Sequence, residues 1–190
     1  MPSDPTILAF DTSAAHCAAA LLRDGRIVAA RAEAMSKGQA ERLMGLLEEV
    51  LAEGGLTWRD LDAIGVGTGP GNFTGIRISV SAARGLALGL AVPAYGIDGF
   101  AARRHALGTE GAVAVPAPRD QIYLSRPGTA PEQIDRPEGL PEDPGPQALA
   151  ESIAHLAALR WPDPAPPPAP LYIRPADAAP SSDKPPVLLD

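Results

Sequence analysis

Between a short apolar strand pattern, Leu61 to Val66, and a long small-residue helix pattern, Ile76 to Leu90, runs Gly67-Thr68-Gly69-Pro70-Gly71-Asn72-Phe73-Thr74-Gly75-Ile76-Arg77. A glycine and proline loop at a strand-to-helix junction aims backbone N–H groups outward, toward a ligand or another chain segment. The loop holds more glycine than a turn requires, and each missing side chain lets a second backbone or a phosphate come close. The familiar phosphate loops do not fit. A P-loop ends in Gly-Lys-Ser/Thr, and this segment has no lysine; Lys37 and Lys184 are the only lysines in the chain. The dinucleotide fingerprint, counted from Gly69 and Gly71, puts Thr74 where glycine or alanine must stand. There is no Gly-x-Ser-x-Gly nucleophile elbow. Two readings stay open: a tight turn that binds nothing, and a loop that holds an anion.

Around this loop the pattern predicts strands over 6–11, 16–22 and 26–34, with Asp24-Gly25 as the hairpin turn between the last two. A helix over 38–53 puts Leu43, Leu47 and Val50 on one face with Met44 and Leu51 beside them, and Gly54-Gly55 stops it. Thr57-Trp58-Arg59-Asp60 reads as a capped turn before a strand over 62–67. The helix after the loop covers 72–90, with Ile76, Val80, Ala83, Ala87 and Leu90 recurring as a packed face requires. A strand over 92–97 follows, then Asp98 caps a helix over 99–107. Short strands over 113–115 and 121–125 and a helix over 146–160 come next. Residues 162–170, almost wholly proline and alanine, read as an extended, solvated linker. Three meandering strands followed by helix, strand and helix do not begin a doubly wound fold; they match the order of an actin-like α/β subdomain. Only Pro2, Pro5, Pro70 and Pro93 of the 22 prolines precede residue 100. That shift divides the chain into a lobe over 1–100, a reduced second lobe with a returning segment over 101–174, and a Pro-rich tail over 175–190.

The formal net charge is −7, and neither half of the chain is basic. A protein that grips nucleic acid alone usually shows a basic patch, because phosphate contacts dominate affinity; none is visible. The one cysteine, Cys17, lies in an apolar run and reads as a small buried strand residue. With no partner for an internal disulfide, the chain suits a reducing compartment. Met1 to Pro5 has neither a basic nor an apolar region, so no signal peptide is expected. The longest helix pattern contains Arg77 and Arg84 and is too polar to span a bilayer. The expected location is the cytoplasm.

The loop motif resembles the signature of the TsaB family, bacterial proteins that take part in making threonylcarbamoyladenosine at the position 37 adenosine of tRNA. Ile7-Leu8-Ala9-Phe10-Asp11-Thr12-Ser13 with Cys17-Ala18-Ala19-Ala20-Leu21 is similar to the family's opening strand, turn and second strand. Pro170-Leu171-Tyr172-Ile173-Arg174 resembles its closing Tyr-Leu-Arg motif. The match is good over about residues 6 to 100. The resemblance implies an actin, Hsp70 and sugar-kinase type of fold, built on a ribonuclease H-like lobe, plus a reduced second lobe. It implies a non-catalytic scaffold or activator that pairs with the catalytic paralogue TsaD, with the small ATPase TsaE as a third member. No cofactor would be held tightly by this chain; ATP and magnesium would be handled by the partners, and tRNA would be met only through the complex. The older glycoprotease name of some relatives comes from the paralogue and has no catalytic residues behind it here.

In actin-like kinases the counterpart of Asp11-Thr12-Ser13 helps hold a magnesium nucleotide. Here the turn from Thr12 to His16 has no glycine, which argues against a tight phosphate cradle, and Asp11 reads as a cap of neighbouring backbone. Asp11, Thr12 and Ser13 with Gly69, Pro70, Gly71, Asn72 and Thr74 remain the candidate anion loop. His16, His105 and His155 lack the i,i+4 spacing of a helical metal pair and read as surface or strand-edge residues. Glu48-Glu49 and Glu142-Asp143 read as solvated faces or loops. No catalytic residue and no metal ligand is assigned. The remaining candidate is a partner surface on the two helices, carried by Leu43, Met44, Leu47, Leu51, Ile76, Val80, Ala83 and Ala87, which by resemblance packs against the same helices of TsaD. Without the paralogue such a surface can close on a second copy. One departure stands out: Pro116 and Pro118 replace the Asp and Arg that relatives tend to show, which suggests an edge strand there. The rivals are a small ATP-dependent phosphotransferase or ATPase of the same superfold and, less supported, a glycoprotease-like peptidase.

Overall fold

A computed structural model describes residues 4–173. Arg174 and the expected tail over 175–190 lie outside the described residues. The order is β1 (Ile7–Asp11), β2 (His16–Arg23), β3 (Arg26–Ala34), α1 (Gln39–Glu53), β4 (Ala63–Gly67), α2 (Phe73–Leu90), β5 (Ala94–Ile97), α3 (Gly99–Leu107), β6 (Val113–Pro116), β7 (Gln121–Ser125), β8 (Glu132–Asp135) and α4 (Pro146–Ala158). The first five strands form one sheet in the order β3-β2-β1-β4-β5, and the last three form another in the order β6-β7-β8. β1, β2 and β3 meander antiparallel, whereas β4 and β5 lie parallel to β1 and β4 respectively. This order and these directions are those of a ribonuclease H-like lobe, the unit of the actin-like folds.

Local chemistry accounts for the boundaries. Asp24 and Gly25 both take positive φ, at 51° and 72°, which is the geometry of a two-residue hairpin turn. α1 ends where Gly55 takes φ 66°. Its N–H reaches the Ala52 carbonyl at 3.1 Å, and Leu56 N–H reaches the Leu51 carbonyl at 2.9 Å. Those two bonds satisfy carbonyls that the last turn would otherwise leave unpaired. The Asp98 carboxylate accepts from the N–H groups of Phe100 and Ala101 and so starts α3. The Asp60 carboxylate accepts from both the N–H and the hydroxyl of Thr57 at 2.7 Å, closing a short turn before β4.

One strand escaped the sequence pattern. β8 carries Glu132, Gln133, Ile134 and Asp135, a run with one apolar residue and no alternation to betray it. Pairing with β7 makes it a strand. β6 is an edge strand of its sheet, as Pro116 suggested. The segment after α4 is extended and solvated as expected, but it is also tethered to the body of the lobe. It lies along the open edge of β5. The Tyr95 hydroxyl donates to the Asp163 carbonyl at 2.9 Å, Arg160 donates to the Gly96 carbonyl at 2.8 Å, and Pro168 is buried. Covering an edge strand removes unpaired backbone from solvent.

Two cores sandwich the five-stranded sheet. Leu8, Phe10, Cys17, Ala19, Leu21, Ile64 and Val66 face α1 and α2. Ile7, Ala9, Leu22 and Ala63 face α3 and α4, with Tyr95 and Ile97. Cys17 is wholly buried, as expected, and burial, followed by the nearby Glu33 charge, pushes its thiol up to about 11. A thiol so protonated is a packing residue, not a nucleophile.

Candidate functional site

The β1–β2 turn and the loop between β4 and α2 close tightly on each other. A Cβ on Gly75 would overlap the Thr12 carbonyl, and one on Gly71 would overlap the Ser13 carbonyl. The Thr12 hydroxyl donates to the Gly75 carbonyl at 2.7 Å, and Asn72 N–H donates to the Ser13 carbonyl at 2.7 Å. The Gly69 carbonyl accepts from Gly99 N–H at 2.7 Å, and the Thr68 carbonyl accepts from Leu171 N–H at 2.8 Å. The Asn72 side chain accepts from Gly75 N–H at 2.8 Å and caps α2. The extra glycine therefore admits the chain's own backbone. All eight candidate loop residues gather here, but Asp11, Thr12, Gly69 and Pro70 are buried, and Asn72 and Thr74 border a crevice that Lys37 and Glu41 also line.

Asp11 is 3% exposed. Its Oδ2 accepts from the Ser13 hydroxyl at 2.8 Å and the Ser13 N–H at 3.2 Å, and lies 2.7 Å from His16 Nε2. Burial pushes the carboxyl up, but the His16 bond and charge, with the two Ser13 bonds, outweigh it and hold Asp11 below the usual carboxylate range. The local cap that the sequence suggested is present. His16 corrects the surface reading of the histidines: it starts β2, but it is buried against Asp11. A magnesium nucleotide would need a free carboxylate and unused N–H groups at this turn. Asp11 is engaged by His16 and Ser13, and the spaces at Gly71 and Gly75 are filled by the Ser13 and Thr12 carbonyls and that at Gly69 by the Ile76 side chain, so these residues do not fit such a group.

A cleft of about 230 Å³ remains between this junction and the second sheet, lined by Ser13, Pro70, Gly71, Arg103, Val115 and Pro118 among others. Arg103 is buried; it donates to Asp143 at 2.6 Å and to the Gly99 carbonyl at 3.1 Å. Asp143 lies in an exposed loop, as read, and is in addition the partner of a buried cation. Sequence reasoning had no signal for this pair, since 40 residues separate its members. His105 and His155 stack with ring centres 5.6 Å apart. Burial, and then His105, push His155 down, with Glu151 opposing. Among the described residues no group of three His, Cys, Asp or Glu side chains converges in a metal-binding arrangement.

The helix face is divided differently from the expectation. Leu43, Leu47, Leu51, Ile76, Val80 and Ala83 are all buried beneath α1 and α2, so they have no surface left to offer a partner. Period alone could not tell a core face from a contact face, because both are apolar stripes. Ala87 is half-buried, and Met44 is exposed at 41%. Two further apolar residues on α2 are exposed and were not singled out: Phe73 at 39% and Leu88 at 85%. Leu88 borders an apolar groove of about 520 Å³ with Arg84, Ala87, Val92, Pro167 and Pro168.

Comparison with known proteins adds a lineage. The model of a family described as TsaD, tRNA N6-adenosine threonylcarbamoyltransferase, matches residues 29–158. The Escherichia coli K12 protein described as tRNA threonylcarbamoyladenosine biosynthesis protein TsaB is 38% identical over 48% of this chain. That match spans only 39% of the relative's own length. An uncharacterized protein of Mycobacterium tuberculosis H37Rv is 30% identical over 92% of this chain and 94% of its own. A crystal structure from Pseudomonas aeruginosa, of an uncharacterized protein similar to peptidase YEAZ, superposes with a TM-score of 0.73 at 25% identity, covering 90% of this chain and all of that one. YeaZ from the same organism gives 0.66 at 28%, covering 83% of this chain and 93% of the other.

Proposed function

Because the chain belongs to the TsaB/YeaZ family, we propose that it is a scaffold or activator subunit in the synthesis of threonylcarbamoyladenosine on tRNA. It binds the catalytic TsaD-type paralogue through the outer surface of α1 and α2, and a TsaE-type ATPase joins the pair. One observation carries this reading. The loop that most resembles a ligand cradle uses its groups on its own chain, while the neighbouring helix layer leaves Met44 and Leu88 exposed. Exposed apolar residues on the outer side of both helices support a contact with another protein there. An acidic chain of net charge −7 is suited to holding the enzyme more than the RNA phosphates. The chain performs no transfer itself, and nucleotide is handled by its partners. It works in the cytoplasm, where tRNA is modified.

The test is light scattering after size exclusion, on the chain alone and mixed with the TsaD-type paralogue of its own genome. A mixed complex is expected, and Met44→Glu combined with Leu88→Glu abolishes it while leaving the thermal melt in place. A chain that ignores the paralogue and instead binds magnesium ATP in calorimetry overturns the reading in favour of a phosphotransferase.

A further inference from the structure

Phe73, Arg77 and Tyr172 meet at the N-terminal end of α2, although 95 residues separate Arg77 from Tyr172. The rings of Phe73 and Tyr172 lie 5.2 Å apart at 28°. The guanidinium carbon of Arg77 sits 4.0 Å from the centre of the Phe73 ring, and its Nε donates to the Tyr172 hydroxyl at 3.0 Å. Each ring is nevertheless 39% exposed. Fastening the returning segment does not need this stack. Leu171 N–H already bonds the Thr68 carbonyl, and Leu171 and Ile173 pack against Phe100, Val113, Val115 and Tyr123. A crevice that takes in Asn72 and Thr74, on either side of Phe73 in sequence, is lined by Lys37 and by Glu41, so its two charges offset and Arg77 is the cation of the stack itself. The result is a set of planar groups, two aromatic and one guanidinium, held in fixed orientation and open to water.

We propose that this stack is a platform for an unpaired base of the RNA that the assembled complex modifies. The inference rests on the reading given under the proposed function. Proteins that take single-stranded RNA stack its bases on aromatic rings and on arginine planes, and such stacking needs no base-specific hydrogen bond. The chain's negative charge fits this division: phosphates are neutralised by other subunits, and this chain supplies a stacking surface with a local cation. The free chain therefore binds RNA weakly, and the contact counts only within the complex.

The experiment uses the full chain in complex with its TsaD-type paralogue. The probes are a short oligoadenylate and total tRNA, cross-linked by ultraviolet light, with the adducts mapped by mass spectrometry. Adducts are expected on Phe73 or Tyr172. Phe73→Ala and Tyr172→Ala each lower RNA affinity about 5- to 100-fold. Tyr172→Phe, which keeps the ring and loses only the bond to Arg77, retains it. Light scattering of every variant reports whether the complex is intact. An intact complex with no adduct and unchanged affinity overturns the proposal. A complex that falls apart with Tyr172→Ala, while the unmutated one gives no adduct at the stack, overturns it too and assigns the patch to the protein partner. Failure of the unmutated complex to form removes the scaffold reading itself, an outcome distinct from either.

Discussion

The helices on the two faces of the five-stranded sheet rest on different surfaces. On the side of α4 the sheet presents Ala9, Ala18, Ala20, Ala63 and Gly65 with Ile7 and Leu22; under α1 and α2 it presents Leu8, Phe10, Leu21, Ile64 and Val66 with Cys17 and Ala19. A Cβ on Gly65 would sit only 3.2 Å from the side chains of both Ala157 and Ile153, so α4 lies close against the strands. Its inward residues Leu149, Ala150, Ile153, Ala154 and Ala157 are all buried within the chain. The α1 and α2 layer stands on larger side chains and keeps apolar groups on its outer side as well. Both layers are closely packed on their inner sides, and what distinguishes the α1 and α2 layer is that Met44, Phe73 and Leu88 stand exposed within its helices.

Substitutions separate the inner and outer residues of the contact layer most sharply. Leu47→Glu or Val80→Glu buries an unpaired charge and removes more than about 4 kcal/mol, so the chain loses its cooperative melt in circular dichroism. Met44→Glu lies on the same helix as Leu47 and leaves the melting temperature within a few degrees. If both behave alike, the division of that layer into core and surface is wrong. A smaller effect is expected on the other face. Gly65→Val forces α4 outward and costs about 1–3 kcal/mol in urea denaturation, against about 0.5–1.5 kcal/mol for Ile64→Val one residue away. Equal costs would mean that α4 is not in close contact.

Acid gives the smallest effects, in two windows. His155 is held below its ordinary 6.5, so the unfolded chain takes up its proton first, and stability declines as pH falls from about 6.5 until the folded form is protonated too. Asp11 is held below its ordinary 3.8, so its contribution is present above that value and is lost as pH falls through the folded-state pKa. In a urea series against pH, His155→Gln removes the first decline and leaves the second.

Much of this was legible because its causes are local. The hairpin at Asp24-Gly25, the glycine stop after α1 and the Asp98 cap are each written in adjacent residues, and each formed as read. The strand β8 was not legible, because its pairing with β7 decides it and its own composition does not. At the candidate site, the glycines of the loop were visible, but what approaches them was not. The Thr12 and Ser13 carbonyls come from a turn some sixty residues earlier, and only the folded chain brings them in.

Sequence alone determined the order of the elements apart from β8, the junction of strand, glycine loop and small-residue helix, and the family resemblance, since hydrophobic period, turn chemistry and motif are properties of neighbouring residues. Tertiary structure decided which side of each helix is core, that His16 lies against a buried Asp11, that Arg103 finds Asp143, and that Phe73, Arg77 and Tyr172 share one surface. These depend on which distant segments exclude water together, and no local pattern encodes that.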